Sequence, residues 1–222
     1  DLKVSNVEPV VEGFDKENYL LLATDVSDEQ AVKDMIEKTV EHFGQIDVLV
    51  NNAGVYGENE FTETTTEEWN KLLGVDLNSV YFTSREAIPY LKKTKGNIVN
   101  VSSLSGLGGE SMHPIYNTVK GAVTNLTRSL AINYGEFGIR VNAVCPTFVN
   151  TALTGKMMEN ERTVEKVLDR IPLNRIAEPE DIAKVIYFLA SDEAGFVSGV
   201  NLPVDGGVNA SSGHPLNMGS YE

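Results

Sequence analysis

Short apolar, β-branched runs alternate with helical patterns along the chain. Such runs predict strands at residues 19–24, 46–50, 97–102, 141–145 and 200–204. Strands separated by amphipathic helices are typical of a parallel sheet that helices cover on its faces. The pattern therefore predicts a doubly wound, Rossmann-like α/β fold with a mostly parallel sheet.

The helical patterns carry their own start and stop residues. Ser27 with Gln30 has the spacing of a capping box, and Gly44 is placed to end the helix that follows. Further helices are predicted at residues 67–93, with a break near Gly74, and at residues 114–134 and 179–191. We expect residues 1–222 to form one domain.

The charge balance narrows the classes of partner. The 18 lysines and arginines against 32 aspartates and glutamates give a net charge of −14, which disfavours nucleic acids and anionic membranes as partners.

Cys145 is the single cysteine, so neither an internal disulfide nor a cysteine-based zinc site is expected. The three histidines lie far apart, and no metal is predicted. The first ten residues lack the pattern of a signal peptide, so a cytoplasmic location is expected.

Tyr116 and Lys120 are four residues apart on a predicted helix and share one face. A neighbouring ammonium favours the phenolate, which would lower the tyrosine pKa from ~10 and allow proton transfer near neutral pH. Taken alone the pair is weak, because the same spacing often occurs by chance on helix surfaces.

Other polar and small residues stand where predicted strands end. Ser103 precedes Tyr116 by thirteen positions, the Asn52–Gly54 turn follows another strand, and Asp25 follows the first. Open α/β sheets bind ligands at these strand ends. Read singly, these residues are an ordinary loop hydroxyl, a turn and a helix-entry aspartate.

Together the pieces resemble the classical short-chain dehydrogenase/reductase family, over about residues 19–207. The matching pieces stand in the family's order: Asp25-Val26, Asn52-Ala53-Gly54, Ser103, Tyr116-x-x-x-Lys120, Pro146 with Thr151, and Val204-Asp205-Gly206-Gly207.

The resemblance implies roles for these residues. Tyr116 would be the general acid/base, Lys120 would lower its pKa and bind the nicotinamide ribose, and Ser103 would hold the substrate oxygen. It implies NAD as cofactor, with NADP as the alternative. Cofactor contacts are implied for Asp1, Asp25, Val26, Asn52, Ala53, Gly54, Tyr116, Lys120, Pro146, Thr147, Val149 and Thr151.

The start of the chain departs from the family pattern. The family's first strand, its glycine-rich turn and the next helix have no counterpart before residue 19. We therefore expect a further βαβ unit in the working protein, and exposed strand edges and an unfinished core without it. The resemblance places Asp1 at the end of the family's second strand, where an acid selects NAD through the ribose 2′-hydroxyl. A chance aspartate is the alternative.

Two single positions also depart from the family. Asp76 stands where the family usually has an asparagine whose backbone carbonyl holds a water that links the lysine to solvent. We keep Asp76 as a candidate catalytic residue, since its carboxylate would favour a charged Lys120. Thr147 replaces a glycine and is expected to shape or crowd the nicotinamide site.

These observations predict an enzyme that interconverts a secondary alcohol and a ketone with NAD(P). Residues 148–175 are expected to form a substrate lid, or else a plain amphipathic connector, and residues 208–222 a C-terminal tail. The partners expected are a small alcohol or ketone and further copies of the chain, as a homotetramer or homodimer. The alternatives are a 3-oxoacyl-carrier-protein reductase and a catalytically inactive relative that acts as a binding or scaffold protein.

Overall fold

A computed structural model describes residues 1–58 and 60–213. Its sheet has four parallel strands in the order β1-β2-β3-β4. The strands are β1 (Val48–Asn51), β2 (Asn97–Val101), β3 (Arg140–Pro146) and β4 (Asn201–Val204). Each of these four strands was predicted, with no end displaced by more than two residues.

Seven α-helices lie in the described residues: α1 (Glu29–Phe43), α2 (Thr66–Leu72), α3 (Ser79–Thr94), α4 (Pro114–Tyr134), α5 (Gly155–Met158), α6 (Glu161–Leu168) and α7 (Pro179–Ala190). A π-helical segment, Leu73–Asn78, joins α2 to α3 where the break near Gly74 was predicted. Eight short 3₁₀ turns lie among the other described residues.

The core lies on both faces of the sheet. Ile98 of β2 packs with Ile36 of α1 and Leu91 of α3 on one face. The next residue, Val99, packs with Ile182 and Leu189 of α7 on the other. Successive strand residues point to opposite faces, so a strand that is apolar at each of these positions needs helices on both sides. The predicted doubly wound fold is confirmed.

The predicted strand at residues 19–24 is wrong. These residues join no ladder in the described sheet, although the Thr24 N–H donates to the Asp1 carbonyl (2.8 Å). A strand needs a hydrogen-bonded neighbour, and apolar content does not supply one. The sheet instead ends at β1, where Val48 and Val50 are 40% and 41% exposed. In the described sheet β1 pairs with β2 alone, so its other edge has no strand partner, as expected.

The predicted start of α1 is also wrong. Asp28 is the N-cap and accepts from the Ala31 N–H (2.9 Å). The Ser27 hydroxyl lies one residue before the cap and donates to Asp25 (2.7 Å). The end at Gly44 is confirmed, with φ at +82°.

The end of the chain is described as far as residue 213, and Val208–Ala210 forms a 3₁₀ turn. The rest of the predicted tail, residues 214–222, lies outside the described residues. Across the described ranges, no helix has the length and apolar content needed to cross a membrane.

Candidate active site

The carboxyl ends of β1, β2 and β3 meet at one edge of the sheet, because the three strands are parallel neighbours. The Asn52–Gly54 turn follows β1, Ser103 follows β2, and Thr147 follows β3. The structure therefore brings together the polar strand ends that the sequence singled out. This edge is where parallel α/β sheets hold ligands.

Helix α4 carries Tyr116 and Lys120 to this edge. Tyr116 lies near enough to Ser103 for the serine side chain to lower its pKa, and Ser103 accepts from the Ser105 N–H (3.1 Å). The loop after Ser103 lies against the α4 backbone, since a Cβ on Gly106 would come within 2.7 Å of the Lys120 carbonyl oxygen. A glycine at position 106 thus permits the contact that places Ser103 beside Tyr116.

Lys120 is 5% exposed, and two oxygens lie near its ammonium. Its Nζ donates to the Val101 carbonyl (3.2 Å) and lies 3.2 Å from Asp76 Oδ2. The same Nζ stands 5.5 Å from the centroid of the Tyr116 ring. The buried ammonium is thus held by β2 and by a carboxylate, one helical turn from the phenol.

Asp76 lies in the π-helical segment and is almost fully buried. Its Oδ1 accepts from the Val55 N–H (2.8 Å), which ties the turn after β1 to the helix pair. Burial raises the pKa of Asp76, and the charge of Lys120 opposes that rise. The resemblance implied a role through the backbone at this position, whereas here the side chain itself contacts Lys120.

The pKa of Tyr116 is raised to about 12, so the expected lowering by Lys120 does not occur in this structure. Burial is the largest cause, and the Asp76 carboxylate adds to the rise, while the Ser103 side chain opposes it. The carboxylate that pairs with Lys120 offsets its charge toward the phenolate.

Comparison of the sequence and the structure with known proteins shows which family the chain belongs to. A family model described as enoyl-(acyl carrier protein) reductase matches residues 1–209. The meso-2,3-butanediol dehydrogenase of Serratia marcescens is 46% identical over 209 residues, which cover 94% of this chain and 82% of that protein. The chain belongs to the short-chain dehydrogenase/reductase family. It is an NAD(P)-dependent oxidoreductase.

Two further relatives are similar to this short-chain dehydrogenase/reductase. A 3-oxoacyl-[acyl-carrier-protein] reductase of Thermotoga maritima is 40% identical over 184 residues, 82% of this chain and 74% of that protein. The solved structure of ElxO with NADP bound superposes with a TM-score of 0.86 at 34% identity, and covers 93% of this chain and 85% of that one.

The residues around Lys120 fit the nicotinamide-ribose part of such a cofactor. Asp76 Oδ2 receives no well-aligned hydrogen bond from any described residue, although Lys120 lies near it. A Cβ on Gly54 would lie 3.4 Å from that oxygen and 3.6 Å from Lys120 Nζ. The backbone of an exposed turn therefore borders a buried cation and a buried acceptor, where a ribose hydroxyl could bind.

The structure places the other implied cofactor residues as follows. The bond from Thr24 to the Asp1 carbonyl sets Asp1 beside Asp25. The Asp25 carboxylate accepts from the backbone N–H and the hydroxyl of Ser27, which lowers its pKa. Val26, Pro146 and Thr147 are partly or fully buried, Val149 pairs with Ala177, and the Thr151 N–H donates to Thr154. Their contacts with a cofactor stay predictions.

Two residues of the site were missed at the sequence level. Tyr56 lies edge-on to Tyr116, with ring centroids 5.4 Å apart, and its hydroxyl lies 2.8 Å from His113 Nε2. The available signs were an aromatic residue two positions after the Asn52–Gly54 turn and a histidine three positions before Tyr116.

Proposed function

We propose that this enzyme interconverts a secondary alcohol and a ketone, with Tyr116 as the group that moves the proton on oxygen. The observation that carries the proposal is the placement of Tyr116 beside Ser103 at a strand end, one helical turn from a buried Lys120–Asp76 pair. The relative named meso-2,3-butanediol dehydrogenase supports this substrate class.

In ketone reduction, the Ser103 and Tyr116 hydroxyls donate hydrogen bonds to the carbonyl oxygen. When bound, the nicotinamide supplies the hydride to carbon in this direction and accepts it in the other. Tyr116 gives its proton to the oxygen as negative charge develops there. With a pKa near 12, Tyr116 keeps that proton across the physiological range.

In alcohol oxidation, Tyr116 has to receive the hydroxyl proton and therefore has to start as a phenolate. Its raised pKa makes that form scarce at neutral pH. Oxidation is therefore expected to accelerate as the pH rises toward about 12.

Lys120 and the Asn52–Gly54 turn are proposed to hold the ribose and adenosine parts of the cofactor. NAD is the proposed preference, because the Asp1 carboxylate, set beside Asp25, would repel the 2′-phosphate of NADP. That carboxylate now accepts from the Lys3 N–H (3.0 Å) and the Asn6 side chain (2.9 Å).

A cytoplasmic homo-oligomer, a tetramer or a dimer, is proposed as the working form. Tyr81 on α3 and Ile132 on α4 are 49% and 82% exposed, which would favour contact with a second copy through the two long helices. The single Cys145 is a buried free thiol, which suits a reducing compartment.

Reduction of a 3-oxoacyl thioester on a carrier protein is the second candidate, because a relative with that name is 40% identical. The net charge of −14 argues for small substrates, since carrier proteins are acidic and would be repelled. The placement of Ser103, Tyr116 and Lys120 at one edge argues against an inactive scaffold.

The experiment compares 2-butanol with tert-butanol, each with NAD⁺ and with NADP⁺, by the absorbance of the reduced cofactor. A tertiary alcohol has no hydrogen on the carbinol carbon, so we expect turnover with 2-butanol and none with tert-butanol. We expect a larger kcat/KM with NAD⁺. Absence of turnover with secondary alcohols, alongside reduction of an acetoacetyl thioester, would favour the second candidate.

A further inference from the structure

Tyr56 and His113 lie near Tyr116, and neither has a role in the proposed mechanism. They are 57 residues apart in sequence, yet the Tyr56 hydroxyl and His113 Nε2 are 2.8 Å apart. They meet because the chain after β1 and the residue before α4 lie at the same edge of the sheet. The Tyr56 ring also contacts the Tyr116 ring at a centroid distance of 5.4 Å.

The hydrogen bonds assign the proton between these two side chains. His113 Nδ1 lies 3.3 Å from the Gly57 carbonyl oxygen, which can accept but cannot donate. Nδ1 therefore carries the hydrogen, and in a neutral imidazole Nε2 is then the acceptor. The Tyr56 O–H donates to Nε2, so its oxygen has lone pairs left but no proton left for a ligand.

The backbone that presents His113 is strained and pinned. Met112, the residue before it, has φ at +67°, a left-handed conformation that side chains rarely adopt. Asn117 of α4 fixes the preceding loop, donating to the Glu110 carbonyl (2.8 Å) and accepting from the Glu110 N–H (3.3 Å). Strain held in place by its surroundings is concentrated at functional sites.

Tyr56 also borders open space next to the site. With Gly57, Pro114 and Ile115 it lines a cavity of about 130 Å³. Tyr56 is thus in contact both with Tyr116 and with a volume that a small organic group can enter.

We propose that the Tyr56 oxygen, oriented by His113, accepts a hydrogen bond from a second hydroxyl of the substrate. The Tyr56 and Tyr116 rings are in edge-to-face contact, so a substrate whose reacting hydroxyl meets Tyr116 reaches Tyr56 most directly through a neighbouring hydroxyl. The substrate class is therefore a vicinal diol, or a 2-hydroxy ketone in the reducing direction. A second carbonyl would turn its lone pairs toward those of Tyr56 and is disfavoured. This inference rests on the proposed function.

The test measures the ratio of kcat/KM for 2,3-butanediol to that for 2-butanol. We expect the wild type to favour the diol and Tyr56→Phe to lower the ratio about tenfold, the usual worth of one hydrogen bond to a neutral partner. The ring remains in Tyr56→Phe, so its contact with Tyr116 is kept. Tyr187→Phe, the same change at a 77% exposed position on α7, should leave the ratio unchanged.

His113→Leu supplies an independent reading, because it releases the Tyr56 O–H to donate. We expect it to raise kcat/KM for diacetyl relative to acetoin, and to raise it more than Tyr56→Phe does. A merely structural role for His113 would lower both rates together.

An unchanged diol ratio in a folded Tyr56→Phe protein would overturn the second contact while leaving the proposed function in place. The same holds if both alcohols lose activity by one factor. Failure of the wild type to oxidise either alcohol would instead overturn the proposed function.

Discussion

At the scale of single residues, Asp76 adds a negative charge near Tyr116. Its carboxylate contacts Lys120 at 3.2 Å and contributes to the raised pKa of Tyr116. Asp76→Asn keeps an oxygen for the Val55 N–H but removes the negative charge. We therefore expect the pH profile of kcat/KM for alcohol oxidation to move to lower pH.

The same variant leaves Lys120 without its buried counter-ion. Breaking such a pair typically costs about 3–5 kcal/mol, so the free energy of unfolding in urea should fall measurably. A profile that stays in place or moves to higher pH would contradict the role of Asp76.

Sequence spacing predicted that Ser103, Tyr116 and Lys120 lie together, because one strand end and one helical turn place all three. It did not predict the direction of the Tyr116 pKa shift, since burial and the Asp76 side chain decide it. Tyr56 and His113 were not predicted as site residues, because their role also depends on the folded structure. Their contact joins residues 57 apart, and no local pattern predicts it.

At the scale of elements, the loop after β2 depends on its close contact with α4. A Cβ on Gly106 would lie 2.7 Å from both the Lys120 carbonyl oxygen and Ser102 Oγ. Gly106→Ala therefore has to push the loop from the helix. We expect a loss of about 1–3 kcal/mol in the free energy of unfolding, and a lower kcat as Ser103 moves from Tyr116.

Gly121→Ala, on α4, is the matched control. Nothing lies within 4 Å of a Cβ at this position, and alanine is the better helix former. This variant should gain up to about 1 kcal/mol with kcat unchanged. Equal effects of the two changes on kcat would contradict the packing argument.

Helices α1, α4 and α7, the interrupted run of α2 and α3, and the four sheet strands followed from the pattern of apolar residues, whereas α5 and α6 were not predicted and residues 19–24 formed no strand. Strand pairing depends on a neighbour elsewhere in the chain, which a local run of leucines does not reveal. The π-helical turn at Asp76 escaped prediction too, although Gly74 marked the irregularity. The lid role of residues 148–175, where α5 and α6 lie, stays a prediction.

At the scale of the whole molecule, the exposed apolar side chains of α3 and α4 predict self-association. Ile132→Glu should shift the protein toward smaller species in sedimentation velocity, because it places a charge where a second copy would bury an apolar group. Phe14→Glu, at another exposed position, should leave the distribution unchanged. An Ile132→Glu protein that sediments like the wild type would contradict assembly through these helices.

The most direct test of the proposed chemistry is the turnover of Tyr116→Phe with a secondary alcohol and the preferred nicotinamide. The change removes the hydroxyl and keeps the ring, so folding and cofactor binding should persist. General acid/base catalysis typically supplies ~10²–10⁴-fold, and we expect kcat to fall by at least the lower figure. A variant that keeps more than about a tenth of the wild-type kcat would contradict the assignment of Tyr116.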